Sequence, residues 1–142
     1  MAHVLFVCRQ NAGRSQMSRA LFERRAEGRH TADCAGTSPA PAIHPRVEEA
    51  LAEVGVDIAA SKPQRLTREL AEKADLVVTM GCGDECPYIP GKRYLDWDLA
   101  DPAGEPLDAV RRIRDEIDTR VGALVSELDR SSELPRAHDV RG

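Results

Sequence analysis

Residues 3–8, His-Val-Leu-Phe-Val-Cys, form a continuous apolar run without polar alternation. A strand of this kind must be covered from both sides, which is the habit of parallel sheets in α/β proteins. A loop containing Asn11 and Gly13 follows, and Arg14–Glu27 then reads as a helix closed by Gly28. Thr31–Ala35 is the second expected strand. From Pro45, the residues Val47, Ala50, Leu51 and Val54 recur at helical spacing, with Pro45 in the first turn and Gly55 beyond the end. Thr67–Lys73 reads as a short helix with Thr67 as its N-cap, Asp75–Met80 as a third buried strand, and Lys92–Trp97 as a weaker fourth. Val110, Ile113, Ile117, Val121, Leu124 and Leu128 then trace one face of a long amphipathic helix. Strands alternating with helices require right-handed crossovers. The expected fold is therefore α/β: a four-stranded parallel sheet in the order 2-1-3-4, doubly wound, with helices on both faces. A chain of 142 residues suffices for one such domain, expected over 1–129, with a polar tail at 130–142.

Composition narrows the partners. A net charge of −4 with both signs interspersed argues against a general nucleic-acid binder. No apolar run approaches the roughly 20 residues of a membrane span, and the start lacks the basic region of a signal peptide. The expectation is a cytoplasmic protein acting as a monomer. In a reducing compartment, its four cysteines fit catalytic, redox or metal-binding work better than structural disulfides. Zinc would need about four ligands, and the histidines, His3, His30, His44 and His138, show no paired spacing. No metal is expected.

The segment leaving the first strand is Cys8-Arg9-Gln10-Asn11-Ala12-Gly13-Arg14-Ser15. Ligands of doubly wound sheets bind beyond the carboxyl ends of the strands. A loop this tight can turn successive backbone N–H groups inward as a nest for a tetrahedral anion, with a helix N-terminus adding positive potential. Gly13 supplies conformational freedom, and Asn11 tolerates the left-handed region. Arg14 can fork onto two oxygens of the anion, and Ser15 can donate its hydroxyl to the sulfur. These features favour the thiolate of Cys8, a nucleophile facing a tetrahedral centre.

These residues resemble the low-molecular-weight protein tyrosine phosphatase fold family, and specifically its arsenate reductase branch. The resemblance covers roughly residues 3–128. It rests on Val-Cys-Arg-Gln-Asn-Ala-Gly-Arg-Ser-Gln-Met, Ala-Gly-Thr, Asp-Leu-Val-Val-Thr-Met, and Trp97 through Asp-Pro-Ala-Gly. It implies Cys8 as nucleophile, Arg14 as anion clamp, Ser15 as stabiliser of the thiolate, and Asn11 as organiser of the loop. It also selects Asp101, followed by Pro102, as general acid, where composition alone leaves Asp96, Asp98 and Asp101 open. Residues 9 and 10 are usually small in relatives. Here they are Arg9 and Gln10, expected to point away from the nest, while Cys34 stands where reductases often carry serine and is expected to be buried and inert.

The remaining cysteines separate the possible reactions. Reducing arsenate to arsenite takes two electrons, and two thiols becoming one disulfide supply two. A second thiol must therefore reach Cys8. Met80-Gly-Cys82-Gly-Asp-Glu-Cys86-Pro87 offers two. With strand order 2-1-3-4, Cys8 and Cys82 leave adjacent strands about 4.8 Å apart, within range of a disulfide after modest movement. The resemblance implies a relay in which Cys8 takes arsenate, Cys82 attacks Cys8 and releases arsenite, and Cys86 carries the disulfide to the surface. No tightly bound cofactor is expected. An external reductant collects the disulfide by exchange, thioredoxin being one. Thioredoxin-linked relatives usually space this pair more widely, which leaves room for mycothiol or glutathione as direct attacker. Phosphate and sulfate would mimic arsenate. The alternatives are a tyrosine phosphatase using the same loop, and a redox sensor or binding module that only holds an anion. Against the phosphatase, Ala103-Gly104 stands after Asp101-Pro102 where phosphatases carry aromatic residues, and aromatics are 4% of the chain.

Overall fold

The computed structural model describes residues 1–81 and 92–133. Among them, strands β1 (His3–Cys8), β2 (Thr31–Gly36), β3 (Leu76–Thr79) and β4 (Arg93–Asp96) alternate with helices α1 (Arg14–Ala26), α2 (Pro45–Ala52), α3 (Arg68–Lys73) and α4 (Leu107–Glu133). The strands form one parallel sheet in the order β2-β1-β3-β4, as expected. In register, Cys8 lies opposite Gly36, and Val7 opposite Thr79. The carboxyl ends of β1, β2 and β3 thus open together.

Both faces of β1 are covered, which explains its unbroken apolar sequence. Val4 and Phe6 join Met17, Leu21 and Phe22 of α1, Val47 and Leu51 of α2, and Ile117 and Val121 of α4. Phe6 meets Phe22 edge-on, with ring centroids 5.6 Å apart. Leu5 and Val7 face the opposite way, toward Val77 and Ala71, with Leu66, Leu70 and Tyr94 around them. The Thr67 hydroxyl caps α3 by accepting from the Leu70 amide at 3.2 Å.

Element ends differ from the sequence reading in small, explicable ways. Helix α1 stops at Ala26 because Glu27 itself takes the left-handed conformation (φ 48°), one residue before Gly28. Helix α4 runs to Glu133, beyond the expected boundary at 129/130, since Arg130 to Glu133 can continue a helix without contributing to an apolar face. No helix among the described residues is long and apolar enough to cross a membrane.

Helices α1 and α4 are also joined by charge. Arg25 donates to both carboxylate oxygens of Asp118, from Nε at 2.9 Å and Nη2 at 2.8 Å. The hydrogen bond from Arg25 lowers the Asp118 pKa from its ordinary 3.8. A depressed carboxylate pKa contributes stability that is fully present above the ordinary value and is lost as the pH falls from there through the lowered folded-state value. Because the pair is partly exposed, Asp118→Asn is expected to cost no more than about 1 kcal/mol at pH 7. Urea melts of both proteins should converge as the pH is lowered into the carboxylate range.

Candidate active site

The loop between β1 and α1 is shaped by where its carbonyls point. The carbonyl of Cys8 accepts from the Thr37 amide (3.2 Å), that of Arg9 from Ser38 (2.7 Å), that of Gln10 from Ala40 (3.0 Å) and that of Ala12 from His44 (3.0 Å). The carbonyl of Asn11 accepts from Gln16 Nε2 at 3.1 Å. In a trans peptide the N–H points opposite to the C=O. Turning these carbonyls outward therefore turns the amides of residues 9–13 to the other side, into the concavity that Cys8 faces. The Asn11 amide lies 3.3 Å from Cys8 Sγ and donates to it. These amides line one concavity, and segment 37–44 braces the loop from outside.

Close approach fixes two glycines. A Cβ at Gly36 would stand 2.7 Å from the Arg9 carbonyl oxygen and 2.9 Å from the Asn11 amide. One at Gly13 would stand 2.6 Å from Cγ of Pro102, so Gly13 lets the Asp101 loop settle over the nest. Asn11 occupies the left-handed region at φ 52°, as its residue type permits.

Cys8 is buried, and its Sγ lies 2.9 Å from Ser15 Oγ at the start of α1. Asn11 Nδ2 donates to the same Ser15 oxygen at 2.6 Å. The buried Arg14 guanidinium reaches Leu99 O from Nη1 at 3.3 Å and Asp101 Oδ2 from Nη2 at 3.6 Å. Asp101 is mostly exposed, and its Oδ1 accepts from the Ala103 amide at 3.0 Å. Cys8, Asn11, Gly13, Arg14, Ser15 and Asp101 thus converge. Arg9 and Gln10 are exposed, and Ala12 is buried. Cys34, on β2, is buried, and burial raises its thiol pKa, which disfavours the reactive thiolate. Cys82 and Cys86 lie outside the described residues.

The family model described as low molecular weight phosphotyrosine protein phosphatase matches residues 3–134. The chain belongs to this family. Among family relatives, a Halobacterium salinarum protein that carries the provisional name arsenate reductase is 40% identical over 129 residues, covering 87% of this chain and 91% of that protein. A thioredoxin-dependent arsenate reductase from Corynebacterium glutamicum superimposes with a TM-score of 0.82 at 44% identity, over 92% of this chain. The chain spans 63% of the length of that solved chain. An arginine phosphatase from Geobacillus stearothermophilus also reaches a TM-score of 0.82, at 28% identity, covering 92% of this chain and 95% of its own.

Within this phosphatase-family frame, the site contains residues the sequence reading did not single out. Gln16 is fully buried beneath the loop, the Gln64 amide donates to Asn11 Oδ1 at 2.9 Å, and Leu99 presents its carbonyl to Arg14. Gln16 carried a usable signal, as a polar residue flanked by Ser15 and Met17 in a helical turn that must bury. Gln64 and Leu99 act through backbone atoms, which leave no mark in side-chain identity.

Proposed function

We propose that the protein is an arsenate reductase whose nucleophile is Cys8. The observation that carries this reading is the sulfur's setting. Cys8 Sγ accepts from the Asn11 amide and sits 2.9 Å from Ser15, on the concave side of inward-turned amides with Arg14 alongside. Each of these groups favours negative charge, first on the thiolate and then on a tetrahedral oxyanion. In the first step the Cys8 thiolate bonds to arsenic and an arsenate hydroxyl leaves as water, receiving one proton from Asp101. The amides of residues 9–13 and the Arg14 fork hold the remaining oxygens.

In the second step another thiol, deprotonated, attacks the Cys8 sulfur. A sulfur–sulfur bond forms, the sulfur–arsenic bond breaks, and its electron pair stays on arsenic, giving arsenite. Two thiols have lost two electrons and arsenic has gained two. Cys82 supplies the second thiol in this reading, and Cys86 then exchanges with Cys82 to pass the disulfide to thioredoxin, mycothiol or glutathione. Support for Cys82 comes from the register: the Met80 amide donates to the Val7 carbonyl at 2.8 Å, so the chain leaves β3 beside Cys8. The thioredoxin dependence of the Corynebacterium glutamicum relative supports an external reductant of that class.

A phosphatase reading is favoured by one observation, the likeness to the arginine phosphatase structure. Counting thiols decides between them. Fully reduced protein incubated with arsenate is expected to lose two thiols per arsenite formed, and Cys82→Ser to lose none unless a small thiol is added. With Cys86→Ser, the first turnover should proceed and thioredoxin-driven recycling should fail. Brisk hydrolysis of an aryl phosphate or phosphoarginine with no arsenate-driven thiol loss would overturn the reductase reading.

A further inference from the structure

Gln16 takes no part in the chemistry above, yet it is buried completely and hydrogen-bonded at both ends of its amide. The direction of each bond around it can be fixed from groups that have only one role. A guanidinium can only donate, and Arg19 Nη2 donates to Ser61 Oγ at 3.3 Å. The Ser61 hydroxyl donates in turn to Gln16 Oε1 at 2.8 Å. At the other end the carbonyl oxygens of Asn11 and Lys62 can only accept, so the Gln16 atom that faces them, at 3.1 Å and 3.3 Å, is Nε2, which also lies 3.3 Å from Asn11 Oδ1.

The Asn11 side chain is fixed from the same side. Its Oδ1 also accepts from the Gln64 backbone amide, another obligate donor. Nδ2 must then face Ser15 Oγ, 2.6 Å away. With its oxygen engaged by that donor, the Ser15 hydroxyl is placed to give its own proton to a Cys8 thiolate, 2.9 Å away. Reversing any amide in the series would set donor against donor or acceptor against acceptor in a buried site.

We propose that Arg19, Ser61 and Gln16 form a directed hydrogen-bond relay that holds Asn11 and Ser15 with their donors toward Cys8, with Gln16 as its central positioning residue. The relay deepens the reading of Cys8 as nucleophile. It begins about one helical turn from the loop, at a side chain that is 19% exposed, and it crosses to segment 61–64. That segment is itself anchored to β2, where the Gly36 amide donates to the Gln64 carbonyl at 2.8 Å.

The test measures Cys8 directly. Native protein is treated with iodoacetamide at pH 7 and alkylation of the Cys8 peptide is followed by mass spectrometry, with thermal melting alongside. Gln16→Glu keeps the size but turns an acceptor toward the two Asn11 oxygens, and Gln16→Met removes both ends of the amide. Each is expected to slow Cys8 alkylation about tenfold, the scale of one net hydrogen bond. Ser61→Ala should slow it about threefold, the lower end of that scale, and Ser61→Thr, which restores the hydroxyl, should return the parental rate. Parental alkylation in both Gln16 variants would overturn the relay, as would equal slowing in Ser61→Ala and Ser61→Thr. If a Gln16 variant fails to melt cooperatively, the Ser61 pair decides: parental rates in both overturn the proposal, and a loss restored by threonine supports it. No arsenate enters this measurement, so the relay can fail while arsenate reduction stands, and the reverse.

Discussion

Cys8→Ser is expected to give a folded protein that still binds phosphate and arsenate but forms no arsenite and loses no thiol in their presence. The amides of residues 9–13 are aimed by outward carbonyl bonds to Thr37, Ser38, Ala40 and His44, none of which involves the sulfur. Ser15 and Asn11 likewise keep their mutual bond when sulfur becomes oxygen. Anion binding should therefore survive, measurable by calorimetric titration with phosphate. Chemistry should not. A serine hydroxyl is not ionised at neutral pH, and the two groups described against the position-8 sulfur, the Ser15 hydroxyl and the Asn11 amide, are not bases that could activate it. Loss of a nucleophile of this kind typically costs 10⁴-fold or more, roughly the scale seen when one member of a catalytic unit is removed. Arsenite formation with the loss of two thiols in Cys8→Ser would remove this sulfur from the mechanism, since Cys34, Cys82 and Cys86 would then suffice.

The parts of this molecule that were legible in the sequence are those carried by side-chain pattern. Residues 3–8 are apolar throughout because the sheet is covered on both faces, and that single run implies the parallel architecture. Helix α4 shows its stripe because only one of its faces is buried. Helix α1 has no such stripe: Arg14, Ser15, Gln16, Met17 and Ser18 are all buried in succession, since its first turn lies under the anion loop as well as against the core. Its start was readable only from the Gly13-Arg14 junction and its end from Gly28.

The candidate site divides in the same way. Cys8, Arg14, Ser15 and Asn11 were legible because they act through their own side chains within eight residues of sequence. Asp101 was not separable from Asp96 and Asp98 by composition; in the structure its carboxylate lies 3.6 Å from Arg14. By contrast, Thr79 at the end of β3 donates to Oδ1 of Asp96, at the end of β4, at 2.6 Å. The braces of the nest were invisible, because they are backbone bonds between segments far apart in sequence.

Gly81→Ala is expected to disable the anion clamp from outside the loop. Gly81 follows β3 with φ 80°, and the Arg14 guanidinium lies against its backbone so closely that an added Cβ would overlap Nη1, with Cζ at 3.0 Å and Nη2 at 3.2 Å. Alanine would meet two penalties. Left-handed backbone costs an L-residue about 1 kcal/mol, which should lower the melting temperature by a few degrees. The overlap falls on the end of a long side chain, which yields more readily than backbone but loses its contacts with the Leu99 carbonyl and the Asp101 carboxylate as it does so. The guanidinium must therefore shift off its line to the anion. Losing one preorganised donor to a reacting oxyanion costs about 10²–10³ in rate, and kcat/KM for arsenate should fall by about that factor, with weaker inhibition by phosphate. The double variant with Arg14→Ala separates cause from coincidence. If Gly81→Ala acts through the guanidinium, adding it to Arg14→Ala should cost nothing further in kcat/KM. Multiplying losses, or a Gly81→Ala protein that melts earlier yet turns over at the parental rate, would show that the glycine serves only the backbone.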